Sequence, residues 1–340
     1  MNMNRNRIDS LYSALQGAPR LLLEVELKPL QGHRFQPTGF PDLGPARYTA
    51  PDGTPMLLVE SPQSVANRME LACWDAAAED LIAELRGLPY IKILDRDGKH
   101  LSNSLLEAHR INSEYIMQNA SRRESEKSFR EEFSAEIGYQ REGRVDWVRF
   151  ERGLLRYDPN SLLHGCFLEE IGGRLRIPRV LSGFIEAAGV GVAESGGVKN
   201  NIVQPELTGG AGNVPYSRTE FTAQRIVAYF NLDLAQLRCF SIPESAKQLL
   251  LALALFKIRR FLATGLRLRT ACDLEPVEEP RVTRPADGVS LPTEGELLQE
   301  CRRLIDLIRS EDATRSGPEK LFVDPPVTEL VWAKEERVRR

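Results

Sequence analysis

The chain is poor in the residues that most often carry chemistry. Its five cysteines, Cys73, Cys166, Cys239, Cys272 and Cys301, are odd in number, and no two form a CxxC pair. That argues against a paired disulfide framework and a zinc knuckle, and it suits a reducing compartment. The four histidines, His33, His100, His109 and His164, share no metal-ligand spacing, and there is no HExxH. No GxSxG is present, and SGGVKN lacks the spacing of a phosphate-binding P-loop. The longest apolar run, LLLALALF at 249–256, is too short to span a bilayer, and the N-terminus has no apolar signal core. The expectation is a cytoplasmic protein without metal or cofactor.

What is present is charge, unevenly spread. The 340 residues carry a net charge of −3. Between Arg174 and Arg269 stand 13 Lys/Arg against 6 Asp/Glu, a net of +7 that leaves −10 for the rest. A basic middle under an acidic average is the footprint of a polyanion partner, or else chance clustering on a solvated face. Within it RLR occurs twice, at 174–176 and 267–269, each time after glycine. If both are strands, Arg174 would stand beside Arg176, and Arg267 beside Arg269. Paired planar guanidinium groups suit phosphate oxygens, whereas isolated edge-strand charges block aggregation. Arg179 would extend the first patch, and Lys257, Arg259 and Arg260 the second.

Patterning predicts a mixed α+β chain rather than regular βαβ units. RLLLEVELKP (20–29) alternates as a strand with one buried face, and MLLVE (56–60) is a second strand. The Gly/Pro-rich segment 31–55 reads as an extended loop with turns at Pro41-Asp42 and Asp52-Gly53. SPQSVANRMELACWDAAAEDLIAELRG (61–87) predicts a helix, with Ser61 as N-cap and Pro62 at the first position. Its first turn offers unpaired N–H groups, and Gln63, Ser64, Asn67 and Arg68 add donors. That end is either an anion site or a plain cap. YIKILDRDGKHL (90–101) predicts a strand and an Asp97-Gly98 turn. A charged helical insertion is expected over 104–135, and VDWVRFERGLL (145–155) alternates like a strand. Residues 193–220 carry many glycines and form a long loop or irregular hairpin, of the kind that tends to be functional. IPESAKQLLLALALFKIRRFLATG (242–265) predicts a helix ending at Gly265. Residues 276–340 are acidic and Pro-punctuated, with one helix opened by the Thr293/Glu296 capping box. His33, in the early loop beside Arg34, is either a surface histidine or a base for RNA cleavage.

Several stretches together carry a resemblance: RFQPTGFPDLG, ESPQSVANRME, SNSLLEAHRINSEYI, EIGGRLRIPRVLSGFIEA, ESGGVKNN, GNVPYSRTEFTA and FKIRRFLATGLRLRTACDLE. From about Leu21 to Glu275 the chain resembles the backbone subunit (Cas-seven family, RAMP superfamily) of CRISPR Type I effector complexes, more narrowly subtype I-G, formerly I-U. The resemblance implies an RRM-like (ferredoxin-like) palm sheet over 1–275, with the helical insertion and a thumb hairpin or loop, followed by the 276–340 extension. The thumb is either 193–220, with Lys199, Asn200 and Arg218, or the 31–55 loop. It implies a non-catalytic subunit that binds CRISPR RNA along the backbone, in several copies, and supports guide pairing with a target DNA strand. The implied partners are further copies of itself, a repeat-binding or capping subunit, a large or small subunit, and a recruited helicase-nuclease, with no membrane. The guide-binding helix start falls on Gln63, Ser64, Asn67 and Arg68. The alternative is a RAMP-type endoribonuclease that processes CRISPR precursor RNA through His33.

Overall fold

The computed structural model describes residues 7–40, 42–118, 120–122, 127–201, 212–286 and 289–332. Helix α1 (Arg7–Ala14) precedes strand β1 (Arg20–Pro29), in which Leu21, Leu23, Val25 and Leu27 turn into the core at the strand period. The 31–55 segment is pinned to the sheet rather than free. Phe35 bridges Phe221, Thr38 N–H donates to the Val59 carbonyl at 3.0 Å, and β2 (Arg47–Thr49) pairs antiparallel with β3 (Pro55–Glu60). The Asp52-Gly53 turn forms as expected, with Gly53 at φ 89. Of the expected Pro41-Asp42 turn, Pro41 lies outside the described residues.

Helix α2 (Pro62–Leu71) starts where the sequence predicts and stops well before 87. Beyond it the Asp75 carboxylate accepts the Ala77 and Ala78 N–H groups, Trp74–Asp75 pairs with Asp80–Leu81, and Glu79 takes φ 47. This side-chain turn outcompetes continuation of the helix. Strand β4 (Tyr90–Leu94) and the Asp97-Gly98 turn form as expected, and the turn leads into a second strand, β5 (His100–Asn103), that closes a hairpin. The 104–135 region is not one helix. It breaks into a 3-10 turn at Arg110–Asn112, one helical turn at Glu114–Met117, β6 (Ala120–Ser121) and α3 (Phe129–Glu136). Arg110 at φ 53 cannot continue a right-handed helix.

The stretch 145–155 is helical, not a strand. In α4 (Trp147–Tyr157) Asp146 caps the Arg149 N–H, and Phe150, Gly153, Leu154 and Tyr157 are buried at helical spacing. Next come α5 (Pro159–His164), a small ribbon of β7 (Cys166–Leu168) and β8 (Leu175–Ile177), and then β9 (Leu181–Ala188). Strands β10 (Gly191–Asn201) and β11 (Gly212–Thr222) make a two-stranded ribbon before β12 (Arg225–Asp233). Residues 202–211 lie outside the described residues. Helix α6 (Glu244–Ala263) ends before Gly265 (φ 72), followed by β13 (Leu266–Arg269), β14 (Cys272–Pro276), β15 (Arg281–Arg284), α7 (Glu294–Asp312) and β16 (Val327–Trp332).

The main sheet runs β13-β14-β1-β12-β9-β3-β2, with antiparallel neighbours throughout. Its centre, β14-β1-β12-β9, has α2 in the connection from β1 to β9 and α6 in the connection from β12 to β14. The β9–β12 pairing runs from Leu181↔Leu232 to Ala188↔Arg225, and the ribbon resumes at Gly191↔Thr222 in the same register. The ribbon is thus the outer half of one long hairpin whose inner half is sheet. The described residues after 275 are woven into the body. β15 pairs with β1, α7 packs along α6, and β16 runs parallel to β4 in a second sheet of order β6-β16-β4-β5. Among the described residues no helix is long and apolar enough to cross a membrane. The run LLLALALF is buried inside α6. All five cysteines are free thiols.

Candidate nucleic-acid interface

Helix α2 is the hub. The Ser61 hydroxyl accepts the Ser64 N–H at 3.3 Å, so part of the helix start is capped from within. The exposed Gln63 and the half-buried Asn67 and Arg68 then bond across to one another and to neighbouring segments. Gln63 Nε2 donates to Asn67 Oδ1 at 3.0 Å and to the Ala108 carbonyl at 3.3 Å, while its Oε1 accepts from Arg179. One turn on, Arg68 donates to the Arg267 carbonyl at 3.3 Å and to the Leu268 carbonyl. The helix therefore ties the segment around Arg179 to strand β13, although these lie far apart in sequence. Burial, and then the nearby Arg110 charge, press the Arg179 pKa downward.

The two RLR motifs do not form the expected guanidinium pairs. Arg174 lies in the turn before β8, not on the strand, and it donates to the carbonyls of Gln140, Arg141 and Gly143 while resting over the Tyr139 ring at 5.8 Å. Arg176, on β8, is exposed, and its side chain has no hydrogen bond or ion pair among the described residues. Arg267 and Arg269 are separated by a register shift against β14. Arg267 is 77% exposed, with Asp273 at 3.8 Å. Arg269 turns inward, pairs with Glu60, and donates to the Gln36 and Val59 carbonyls at 3.0 and 3.1 Å. Glu60 is 1% exposed, and a carboxylate so deep requires a partner. The expected upstream patch is likewise spent. Arg259 pairs with Glu279, and Arg260 with Glu294 at 2.8 Å while lying over Phe256. Lys257 is buried.

On the ribbon, Lys199 stands opposite Val214 and Asn200 opposite Asn213; both side chains lie outside the described residues. Arg218 pairs with Glu220 at 3.3 Å, and Glu220 also accepts from Arg34 at 3.0 Å. His33 and Arg34 line a cleft of about 410 Å³ with Glu220, Ala271 and Asp273. The sheet face turned away from the core carries the half-buried Glu24, Glu26 and Glu186 around a stacked Phe184–Tyr229 pair. Each of these carboxylates is partnered, Glu24 by Arg281 at 2.8 Å, Glu26 by Arg225 at 3.3 Å and Glu186 by the Tyr48 hydroxyl at 2.5 Å.

Behind α2 lies a buried polar network that sequence reading missed. Glu70 accepts two bonds from Arg110, both at 2.7 Å. Lys257 donates to Asn160 and meets His164 Nε2 at 2.9 Å, and Ser161 donates to Asp158 at 2.7 Å. Burial outweighs Arg110 and pushes the Glu70 carboxyl up to about 7. Burial, and then the Lys257 charge, hold His164 well below 6.5, so the imidazole is neutral at pH 7. The available signal was Lys257 itself, a lone charge after an eight-residue apolar run. Among the described residues no group of three or more His, Cys, Asp or Glu could hold a metal ion.

Fold and surface together define a mixed α/β protein on an antiparallel sheet that gathers Gln63, Asn67, Arg68, Arg179 and Arg267 along one edge. A family model described as CRISPR-associated protein GSU0053 matches residues 21–192, just over half of the chain, and the chain belongs to that family. A chain of a CRISPR RNA-guided surveillance complex, pre-nicking, is 14% identical, with 88% of this chain and 89% of that chain covered, at a TM-score of 0.41. Thermofilum pendens Csc2 is 11% identical, with 91% and 82% covered, at a TM-score of 0.30. No curated protein matches.

Proposed function

We propose that this chain is a non-enzymatic backbone subunit of a CRISPR effector complex that holds guide RNA by its phosphates. The observation that carries this reading is the bridge made by α2: Gln63 bonded to Arg179 on one side and Arg68 bonded to β13 on the other. Helix N–H groups, amides and guanidinium groups so arranged position a phosphate chain without reading bases. Membership of a CRISPR-associated family supports CRISPR RNA as the polyanion. The strand order β14-β1-β12-β9 with its two connecting helices supports an RRM-like palm. The β10–β11 ribbon supports 191–222 as the thumb in preference to the sheet-pinned 31–55. On this reading Lys199, Asn200 and Arg218 lie on the thumb, and Arg259, Arg260 and Arg269 hold the fold rather than the guide. The complex is of Type I-G and cytoplasmic. Copies line up along the guide, a target DNA strand pairs with it, a capping subunit and a large or small subunit join, and a helicase-nuclease is recruited.

The test is co-expression with a CRISPR array and the neighbouring genes, purification through high salt, and sequencing of the bound RNA. Uniform spacer-containing RNA on several copies is expected. Random cellular RNA on a monomer, or none, refutes the reading. A second reading, endoribonuclease, draws on the cleft that sets His33 beside Arg34, Glu220 and Asp273. It requires cleavage within a CRISPR repeat that is lost in His33→Ala.

A further inference from the structure

Strand β7 buries Cys166 and Leu168, so the residue between them must face outward. That residue is Phe167, 47% exposed. A single exposed phenylalanine needs no explanation. This one stands directly opposite Arg176 in the β7–β8 register, and directly opposed residues share a face at about 5 Å between Cβ atoms. No aromatic ring or cation is stacked on the Phe167 ring among the described residues. Arg176 is likewise without a partner among them. Three residues on, Arg179 bonds to Gln63 of α2, within about 10 Å of chain.

The ribbon that presents the pair is packed from beneath. Leu175 and Ile177 are buried beneath it together with Cys166 and Leu168. Gly165 enters β7 at φ 77, and a Cβ there would stand 2.7 Å from the Ile177 carbonyl oxygen, so the two strands are clamped at close approach. A ring held in place costs little entropy to use.

We propose that Phe167 and Arg176 form a base-stacking platform for single-stranded RNA. The ring carries one base, and the guanidinium takes a phosphate beside it. Every base has a π face, so the contact is sequence-tolerant, as a guide holder requires. The cationic neighbours Arg176 and Arg179 favour RNA over a hydrophobic protein surface as the occupant. This inference rests on the RNA-holding function proposed above.

The test is binding of a single-stranded RNA carrying 2-aminopurine to the full chain and to Phe167→Leu, Phe167→Trp and Arg176→Gln, with thermal melts to show that each folds. Loss of one stacked base weakens binding about 5- to 150-fold. Phe167→Leu should show that loss with an unchanged salt slope and lost 2-aminopurine quenching, and Phe167→Trp should restore both. Arg176→Gln should lower the slope by about 0.7. Wild-type affinity in Phe167→Leu, with Arg176→Gln weakened, overturns the platform and leaves the guide-holding reading standing. Reduced self-association with unchanged RNA binding overturns it in favour of a protein contact. Unchanged binding in both variants and in Arg179→Gln overturns the guide-holding reading as well.

Discussion

Replacing Arg176, Arg179 and Arg267 together by glutamine separates guanidinium groups free to meet phosphate from those the fold has already used. Arg176 has no partner among the described residues, Arg179 bonds to a neutral amide, and Arg267 is mostly solvated, 3.8 Å from Asp273. An ion pair so exposed contributes at most about 1 kcal/mol and yields to a phosphate. On single strands each phosphate contact adds about 0.7 to the slope of log K against log salt. The triple variant should therefore lose a slope of about 2, equal to roughly 100-fold in affinity at ~0.1 M monovalent salt, and approach wild type as salt nears ~1 M. Arg259→Gln with Arg260→Gln is the control. Glu279 and Glu294 already neutralise both, so the slope should stay at the wild-type value. The assay is fluorescence anisotropy of a labelled single-stranded RNA over a potassium chloride series. An unchanged slope in the triple variant, or a lowered one in the control, refutes the assignment.

Arg269→Gln leaves the Glu60 carboxylate buried without its cation and should cost about 3–5 kcal/mol in urea unfolding; a loss below about 1 kcal/mol would mean that Glu60 does not need that guanidinium. His164 is held neutral below its ordinary pKa, so the unfolded chain takes up a proton first as pH falls through 6.5 and stability is lost. Relative to His164→Gln, wild type should lose about 1.4 kcal/mol per pH unit below 6.5, read from melts at matched pH; the raised Glu70 pKa has the opposite sign and cancels in that difference. Gly165→Ala combines a left-handed backbone with a Cβ 2.7 Å from the Ile177 carbonyl, whereas Gly173→Ala at φ 66 meets nothing within 4 Å. The first should lower the melting temperature more than the second, which carries only the conformational cost of about 1–2 kcal/mol; equal losses would remove the close-approach argument.

Patterns that depend on neighbours in sequence were legible before any coordinates. The alternation of 20–29, the Ser61 and Thr293 caps, the Asp97-Gly98 turn and the Gly265 stop each follow from local steric and hydrogen-bonding rules, and each is found where expected. The α2 face was legible for the same reason, because Gln63, Ser64, Asn67 and Arg68 fall within two turns of a capped start. The misreadings arose where tertiary context or a local turn overrode the pattern. In 145–155 the apolar spacing fits period 2 as well as 3.6, and only the pocket that receives Phe150 and Leu154 decides for the helix.

Charge was legible as a count and not as a location. Thirteen basic residues between 174 and 269 were visible in the sequence, as was the likelihood of strands around both RLR motifs. The sequence by itself determined the family's motifs, the strand and helix starts, and the basic middle. Only the tertiary structure decided which guanidinium groups stay free, because that choice rests on Glu60, Glu279 and Glu294, which reach Arg269, Arg259 and Arg260 through long-range packing. An ion pair forms between groups that the fold brings within about 4 Å, and separation along the chain carries no record of that distance.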